Sequence, residues 1–421
     1  MEKLAINGGK PVREKAFPTN YLGVSLYDDK ELEQVVSVVK DKSPFRHYGI
    51  GNPNKTELFE QKVREYFGCK HALAVTSGTA ALFCAIIALG IGPGDEVILP
   101  TFGWFSNFFA ITNAGALPVF ADIDETLGLD AEDFERKITP NTKAVIVIDF
   151  QGSPANMNAV MRIAKNRGIK VIEDIAQAFG GEYNGTKLGR FGDIAVASFQ
   201  LNKILCCGEG GIIFTDDDKY FNRAIRYHDL GFLRPYFDKL IDKEAYPDVK
   251  DSFAGSQYRM SEFQGAVLLA QIDKLDYILN TCREHHARIR ESFKDNLHFK
   301  IRYIQGDCGI TVFMLFDTSE EAGNFERCLR AEGIPTGAKS ACRNLLHEAP
   351  ITTKELTHPA MPPFGKGYAG ENVDYTKSNE TMKTDGIISR YVAMSIGPQY
   401  TYDDVTDIIT AIQKVDENLY K

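Results

Sequence analysis

The stretch from Val171 to Phe214, VIEDIAQAFGGEYNGTKLGRFGDIAVASFQLNKILCCGEGGIIF, decides the fold. Two apolar runs, at 169–172 and 194–199, are typical of short buried parallel strands. Asp174 follows the first run and Lys203 follows the second. Ligands of an open parallel sheet bind outside the carboxyl ends of its strands. The sequence therefore predicts that Asp174 and Lys203 face one crevice.

This pair of residues suggests a particular chemistry. A buried lysine readily forms a Schiff base, because desolvation lowers its pKa and supplies the neutral amine. An aspartate opposite it can hold a protonated pyridine nitrogen, which is the pairing expected for pyridoxal phosphate. An isolated aspartate at a strand end is more often a cap or turn former, so the hypothesis depends on the pair.

The composition limits the class of protein. The chain has 421 residues, 44% of them hydrophobic, which predicts a large core and two domains. A formal net charge of -9 argues against a nucleic-acid partner. The N-terminus has no apolar core of signal-peptide length, and no stretch approaches the ~18 apolar residues of a membrane span, so we expect a cytoplasmic protein. The 8 cysteines form no CxxC pair, and we expect buried thiols and no metal site.

Strands and helices alternate along the first part of the chain. Strand patterns at 96–99, 118–123 and 143–149, separated by helical or loop spacers, predict an α/β protein with a mostly parallel sheet. Later patterns predict a smaller α+β domain. We expect an N-terminal arm at 1–28, a large domain at 29–275, and a linking helix with a small C-terminal domain at 276–421.

Other strand ends offer further parts of a cofactor site. A pyridoxal phosphate site needs a phosphate cup, a stacking aromatic ring, an acid for the ring nitrogen, a donor to the ring hydroxyl and an imine lysine. A helix start supplies backbone N–H groups for a phosphate. The matching features are an anion pocket at Ser77, Gly78 and Thr79, the single tryptophan Trp104, the carboxylate of Asp174, the amide of Gln177, and Lys203 beside Ser198.

Seven motifs together carry a resemblance to a known family. They are VTSGTAAL, PTFGWFS, PVFADID, IEDIAQAFG, GRFGDIAVASFQLNK, GEGG and QYRMSEFQGA. With these motifs the chain resembles the DegT/DnrJ/EryC1/StrS group of pyridoxal phosphate-dependent sugar aminotransferases over essentially its whole length. The resemblance implies the aspartate aminotransferase type of fold, fold type I, with a large α/β domain and a smaller α+β domain.

The resemblance also implies residue roles and a homodimer with a shared active site. Lys203 would be the catalytic Schiff-base lysine. The cofactor contacts would be Asp174 at the ring nitrogen, Gln177 at the ring hydroxyl, Trp104 on the ring face, and Gly78, Thr79 and Ser198 at the phosphate. Gln257 would reach the phosphate of the neighbouring subunit, although relatives commonly have asparagine at that position.

The retained lysine favours transamination. Dehydratases of the family have histidine in that place, whereas Lys203 can complete the exchange that releases an aminated product. We expect transfer from L-glutamate or L-glutamine to a keto or aldehyde carbon of a sugar. A sugar dehydratase and a non-catalytic regulator on the same fold are the alternatives.

The sugar acceptor is less well defined. Candidate substrate contacts, each equally well explained as solvated surface, are Arg46, His47, Tyr48, Tyr258, Arg259, Arg343 and His347. The chain is similar to enzymes that aminate C8 of 3-deoxy-octulosonic acid, and to inosose and aminohydroxybenzoate relatives. An acidic octulosonate would require cationic contacts, which the arginines could supply. That acceptor would place the protein in lipopolysaccharide or other cell-surface sugar biosynthesis, with secondary metabolism as the other setting.

Overall fold

The structure is a computed structural model that describes residues 2–337, 342–354, 358–379 and 382–420. Its strands are β1 His71–Val75, β2 Glu96–Pro100, β3 Phe102–Gly103, β4 Leu117–Ala121, β5 Thr142–Ile148, β6 Lys170–Asp174, β7 Glu182–Tyr183, β8 Thr186–Lys187, β9 Ile194–Ser198, β10 Gly211–Thr215, β11 Lys300–Ile301, β12 Thr311–Leu315, β13 Arg343–Asn344 and β14 Tyr391–Ser395.

The helices lie on both sides of the large sheet and around the C-terminal part of the chain. They are α1 Asp29–Asp41, α2 Lys55–Phe67, α3 Gly78–Ala88, α4 Phe105–Asn113, α5 Ala131–Lys137, α6 Met157–Arg167, α7 Asp218–His228, α8 Asp248–Asp251, α9 Glu262–Gln271, α10 Leu275–Ser292, α11 Ser319–Ala331, α12 Ala349–Thr352, α13 Tyr375–Asn379, α14 Thr384–Ser389 and α15 Tyr402–Tyr420.

A seven-stranded sheet in the order β1-β10-β9-β6-β5-β2-β4 forms the centre of the large domain. Strands β4, β2, β5, β6 and β9 run parallel, and β10 runs antiparallel to its neighbours β9 and β1. The predicted α/β fold with a mostly parallel sheet is confirmed. Because β6 and β9 are direct neighbours with Asp174 opposite Val196, their carboxyl ends open at one place.

Helix α3 begins where the chain leaves β1, and it lies close to the end of β9. Ser77 caps the helix by accepting a hydrogen bond from the Ala80 N–H. A Cβ atom on Gly78 would lie 2.6 Å from the Cβ of Ser198, a separation that real Cβ atoms do not show. Glycine at position 78 therefore permits the first turn of α3 to approach the end of β9.

The C-terminal part of the chain forms a second, smaller layer. Strands β11, β12 and β14 make a three-stranded antiparallel sheet that packs with α10, α11 and α15. Leu4 of the N-terminal segment is buried in this core, and Arg13 pairs with Asp404 at 2.7 Å. The N-terminal arm is thus attached to the C-terminal part, while the predicted domain boundaries stay predictions.

Some element boundaries differ from the sequence patterns. The apolar pattern at 299–304 predicts a longer strand than β11, which is limited to Lys300–Ile301, although the Arg302 N–H still donates to the Phe313 carbonyl of β12 at 2.9 Å. The stretch at 350–385 is rich in Pro, Gly, Thr and Lys, which predicts a long loop, but its described residues contain part or all of the short helices α12, α13 and α14. Ser261 with Gln264 three residues later is a capping-box pattern, and the capping box is present at the start of α9.

Candidate active site

Asp174 and Lys203 are brought together at the ends of β6 and β9. Asp174 is 6% exposed and accepts a hydrogen bond from the Ala176 N–H at 3.0 Å. Burial raises the pKa of Asp174, and hydrogen bonds from Ala176 and Asn107 and the charge of Lys203 oppose that rise. Burial lowers the pKa of Lys203, against the influence of Cys342 and Asp174. Burial therefore disfavours both charges, which makes a neutral lysine amine accessible.

The Nζ atom of Lys203 is available for chemistry. Among the described residues, no hydrogen bond or ion pair joins this atom to another side chain. Cys342 and Asp174 are close enough to influence its pKa, so the amine lies within the crevice and not in open solvent. A buried amine without a fixed partner is suited to bond covalently to a bound carbonyl compound.

The sequence predicts an anion pocket at the N-terminus of α3. The first N–H groups of a helix have no partner within it and attract anions. The Thr79 hydroxyl lies 2.7 Å from the Ser106 hydroxyl, and Ser198 lies against Gly78. Ser77 has a structural task as the helix cap. The pocket thus combines helix N–H groups with the hydroxyls of Thr79 and Ser198, which suits a phosphate.

Helix α4 supplies an aromatic face and an amide. Trp104, which precedes the helix as its cap residue, is 50% exposed. Asn107, three residues further on, is 2% exposed and close enough to Asp174 to oppose the rise in pKa that burial causes at that carboxyl. Its Oδ1 atom has no hydrogen-bond partner among the described residues. Sequence reasoning missed Asn107, a buried polar side chain in an otherwise largely apolar helix.

Gln177 is held by two residues that the sequence did not reveal. Its Oε1 accepts a hydrogen bond from the Gln151 N–H at 3.1 Å, and its Nε2 donates to the Cys342 Sγ at 3.1 Å. Cys342 immediately precedes β13, which pairs with β3 next to Trp104. Burial raises the pKa of the Cys342 thiol to about 11, against opposing effects of Gln177 and Lys203. A neutral thiol therefore adjoins Lys203 and Gln177.

Arg46 is not available to a substrate, which corrects its prediction as a substrate contact. Its Nη1 donates to the Ala74 carbonyl at 3.0 Å and its Nη2 to Glu60 at 2.8 Å, and Arg46 is only 7% exposed. The loop that carries Arg46 turns this side chain into the large domain. Tyr48 in the same loop is 67% exposed.

A second buried carboxylate, Asp229, gathers two guanidinium groups and a histidine, His47, whose pKa burial lowers to about 3. Arg234 Nε donates to Oδ2 at 2.7 Å, Arg259 donates to Oδ1, and His47 Nε2 lies 3.6 Å from Oδ2. Burial would raise the pKa of Asp229, but the hydrogen bonds from Arg234 and Arg259 outweigh it and lower the pKa to about 2. We name Asp229, Arg234, Arg259 and His47 the Asp229 cluster. The cluster includes His47 and Arg259, which the sequence predicts as substrate contacts.

The four remaining candidates, Gln257, Tyr258, Arg343 and His347, have contacts elsewhere in the described residues. Gln257 forms a backbone bridge with Asp229, and the Tyr258 carbonyl accepts a hydrogen bond from the Thr76 N–H at 2.9 Å. Arg343 is opposite Gly103 in the β13–β3 pair and contacts Glu348 at 3.2 Å. His347 pairs with Asp385 at 2.6 Å. Of these four, Arg343 is closest in register to Trp104.

Two general features accompany this site. Within the described ranges, no helix combines the length and apolar character needed to cross a membrane. The same part of the chain contains no group of three or more His, Cys, Asp or Glu side chains placed to hold a metal ion.

Comparison with known proteins gives consistent matches. The sequence profile of the DegT/DnrJ/EryC1/StrS aminotransferase family matches residues 27–413. GDP-perosamine synthase of Escherichia coli O157:H7 is 37% identical over 246 residues, 58% of this chain and 64% of that protein. The L-glutamine:2-deoxy-scyllo-inosose aminotransferase of Streptomyces kanamyceticus is 34% identical over 305 residues, 71% of this chain and 69% of that protein. The chain thus spans less than two thirds of the perosamine synthase.

Solved structures match over nearly the whole chain. The crystal structure of 3-amino-5-hydroxybenzoic acid synthase has a TM-score of 0.77 at 24% identity, covering 96% of this chain and 100% of that chain. A GDP-4-keto-6-deoxymannose-3-dehydratase with a trapped PLP-glutamate geminal diamine has a TM-score of 0.75 at 22% identity, covering 94% and 100%. These likenesses establish the fold, and that fold is shared by a protein named as a dehydratase.

Proposed function

We propose, because the chain belongs to the DegT/DnrJ/EryC1/StrS aminotransferase family, that it moves an amino group from L-glutamate or L-glutamine to a keto or aldehyde carbon of a sugar. The observation that carries this proposal is the pair formed by Asp174 and Lys203 at adjoining strand ends. Membership of the family indicates pyridoxal phosphate as the cofactor.

The residues fit this cofactor. The half-exposed ring of Trp104 offers a stacking face, and the start of α3 with Ser198 offers a phosphate cup. Asp174 would hold the ring nitrogen, and Gln177 would donate to the ring hydroxyl. When bound, pyridoxal phosphate supplies an electron sink for negative charge at the carbon of the amino donor.

Each side chain then has a defined task in the proposed reaction. Ionised Asp174 would hold the protonated ring nitrogen, because a buried negative charge favours a positive neighbour. Lys203 Nζ, as a neutral amine, would accept and carry the proton that Cα of the amino donor loses. Trp104 covers one face of the crevice and limits the access of water.

The presence of Lys203 supports transamination over dehydration. A lysine can be displaced by the amino donor and can then take up its place again after the amino group has left. The dehydratase alternative predicts loss of a sugar hydroxyl without net amination. Stoichiometric 2-oxoglutarate from glutamate, one per aminated sugar, would support transamination, and a deoxygenated sugar without amination would support dehydration. A regulator would instead keep its biological output in Lys203→Ala.

The central experiment uses the single tryptophan and the lysine together. We expect wild-type protein to show a visible absorbance band with added pyridoxal phosphate, quenched Trp104 fluorescence, and borohydride-fixed label on Lys203. Lys203→Ala should lose the label, whereas the control Lys187→Ala on the surface hairpin should keep it. Absence of both band and label in the wild type would refute the proposed function.

The identity of the sugar acceptor is the more specific part of the proposal. The resemblance favours an octulosonate oxidised at C8, whereas the matched relatives are named for GDP-perosamine and for 2-deoxy-scyllo-inosose. We propose an assay with these three kinds of keto or aldehyde acceptor and either amino donor. If the wild type prefers the anionic octulosonate and Arg343→Gln weakens that preference, the octulosonate would be supported as the acceptor, together with a role in lipopolysaccharide synthesis. Preference for a GDP-linked keto sugar would refute it.

A shared homodimeric site is also part of the proposal. Tyr48 and Phe232, both more than half exposed, flank the Asp229 cluster, and exposed apolar groups of this kind mark interaction surfaces. We expect a dimer by light scattering. Inactive Lys203→Ala and Gln257→Ala chains should recover activity when they are refolded together, because one site of the mixed dimer then has both residues. No recovery would refute the contribution of Gln257 across the interface.

A further inference from the structure

The side-chain amide of Gln177 is held at both of its ends. Its Oε1 accepts the hydrogen bond from the backbone of Gln151, and its Nε2 donates to the sulfur of Cys342, each at 3.1 Å. The two partners come from different parts of the fold, since Cys342 is 165 residues from Gln177 in the chain. The amide therefore has one orientation that the fold imposes.

The carbonyl end is anchored by an unusual backbone conformation. Gln151 has a φ of 51°, in the left-handed region that residues other than glycine seldom adopt. Its own Oε1 accepts a hydrogen bond from the Thr311 hydroxyl at 3.0 Å, which ties the turn to β12. A flipped Gln177 amide would set its NH₂ group against the Gln151 N–H, so two donors would face each other.

The amino end is anchored by a neutral sulfur. Cys342 is 3% exposed, and burial raises its pKa to about 11, so it is a thiol at neutral pH. Sulfur is a weak acceptor, and it occupies one of the two hydrogens on Nε2 of Gln177. The second hydrogen has no hydrogen-bond partner among the described residues.

We propose that Gln151 and Cys342 are positioning residues that aim the second Nε2 hydrogen of Gln177 at the ring hydroxyl of pyridoxal phosphate. This inference rests on the proposed function. Through Cys342, the C-terminal part of the chain then helps to set the protonation of the nitrogen that joins Lys203 to the cofactor.

The direction of the effect follows from the charge on the ring oxygen. An ionised ring oxygen attracts a proton on the neighbouring lysine nitrogen. A hydrogen bond from Gln177 draws negative charge from that oxygen and weakens the attraction, which lowers the pKa of the nitrogen. Loss of the orientation should therefore raise this pKa, by about 0.5 to 1 unit for one hydrogen bond.

The test is a pH titration of the absorbance of the cofactor-loaded enzyme. Cys342→Ala removes the acceptor and should raise the apparent pKa of the absorbance change, whereas Cys342→Ser restores an acceptor and should return it toward the wild-type value. The matched control is Cys328→Ala, which removes a buried thiol in the core of the C-terminal part. It should titrate like the wild type.

A double-mutant cycle shows whether Cys342 acts through Gln177. In the Gln177→Ala background, Cys342→Ala should cause no further shift. An equal shift in both backgrounds, or no shift in Cys342→Ala beside a normally titrating wild type, would overturn the inference and leave the proposed function intact. Cys342→Val removes the acceptor at nearly constant volume and replaces the alanine variant if that variant does not fold. A wild type without cofactor absorbance would refute the proposed function itself.

Discussion

Two buried aspartates of this protein, Asp174 and Asp229, lie near cations but have opposite surroundings. Asp229 receives hydrogen bonds from two guanidinium groups, which outweigh burial and lower its pKa to about 2. Asp174 faces the amine of Lys203, and its pKa is raised by burial. The first carboxylate is satisfied within the protein. The Asp174 carboxylate can still bind a positively charged group, as expected of a ligand site.

The nature of the cation explains the difference. A guanidinium group keeps its proton and fits a carboxylate with two parallel bonds, so Arg234 and Arg259 lock Asp229 in its ionised state. A lysine can lose its proton when it is desolvated, and Lys203 shows the corresponding lowered pKa. The Asp229 cluster therefore stabilises the structure, and the Asp174–Lys203 pair is left for chemistry.

The largest expected effect is on the Asp229 cluster. Asp229→Asn leaves the guanidinium groups of Arg234 and Arg259 facing a neutral amide, and the free energy of unfolding should fall by about 3–5 kcal/mol. Urea unfolding at pH 7 measures this change. The control is Asp216→Asn, which breaks the exposed pair with Arg190 and should cost less than about 1 kcal/mol. Equal losses in the two variants would contradict a special role for the cluster.

The same substitution at Asp174 should lower the activity strongly and leave the free energy of unfolding nearly unchanged. Asp174→Asn removes the carboxylate for the ring nitrogen, and kcat/KM should fall by about 10²–10³, the usual cost of one electrostatic contact to developing charge. The free energy of unfolding of the cofactor-free protein should stay within about 0.5 kcal/mol or rise, because a neutral amide is cheaper to bury than a carboxylate. Steady-state kinetics and urea unfolding measure the two quantities. A stability loss as large as that of Asp229→Asn would remove the distinction between the two aspartates.

The Asp174–Lys203 pair was predictable from the sequence, because the sequence signals that locate it are local. The apolar runs at 169–172 and 194–199 end in polar residues, and parallel strands place such ends together. The helix start at Ser77 has its own local capping signal. The strand positions and the proximity of Asp174 to Lys203 therefore followed from residues adjacent in the chain.

The partners of Arg46 and of Cys342 could not be predicted, because they lie in distant segments of the chain. The polar loop with Arg46 suggested a surface site, because nothing in the sequence shows that Glu60 of α2 is fully buried and needs a cation. In the same way, Cys342 reaches Gln177 only through the pairing of β13 with β3. Sequence periodicity reports which face of one element is buried, and it does not report which distant side chain meets that face.

Acid should weaken the region around Asp229. Burial and the nearby Arg46 lower the pKa of His228, which directly precedes Asp229, to about 3. The unfolded chain binds a proton at this histidine below about pH 6.5, whereas the folded chain does not until about pH 3, so stability is lost as the pH falls through that window. Each histidine of this kind should cost about 1.4 kcal/mol per pH unit.

Urea unfolding at pH 6 and pH 5 measures that slope. His228→Gln should reduce it by the contribution of one proton, whatever its effect on stability at pH 7. The control His298→Gln makes the same substitution at a partly exposed histidine that contacts Asp416. A slope unchanged in His228→Gln would show that this histidine is not the acid-sensitive group.

The smallest expected effect tests the geometry of the cluster. Arg234 donates from Nε to Oδ2 of Asp229 at 2.7 Å and from Nη2 to Oδ1 at 3.3 Å. Arg234→Lys keeps the charge but cannot present the two-pronged donor, so the free energy of unfolding should fall by about 0.5–1.5 kcal/mol, the net value of one hydrogen bond. Cofactor affinity, followed by quenching of Trp104 fluorescence, should not change. If affinity fell while stability held, the Asp229 cluster would have to be assigned to the cofactor site, because a purely structural carboxylate has no reason to alter binding at Lys203.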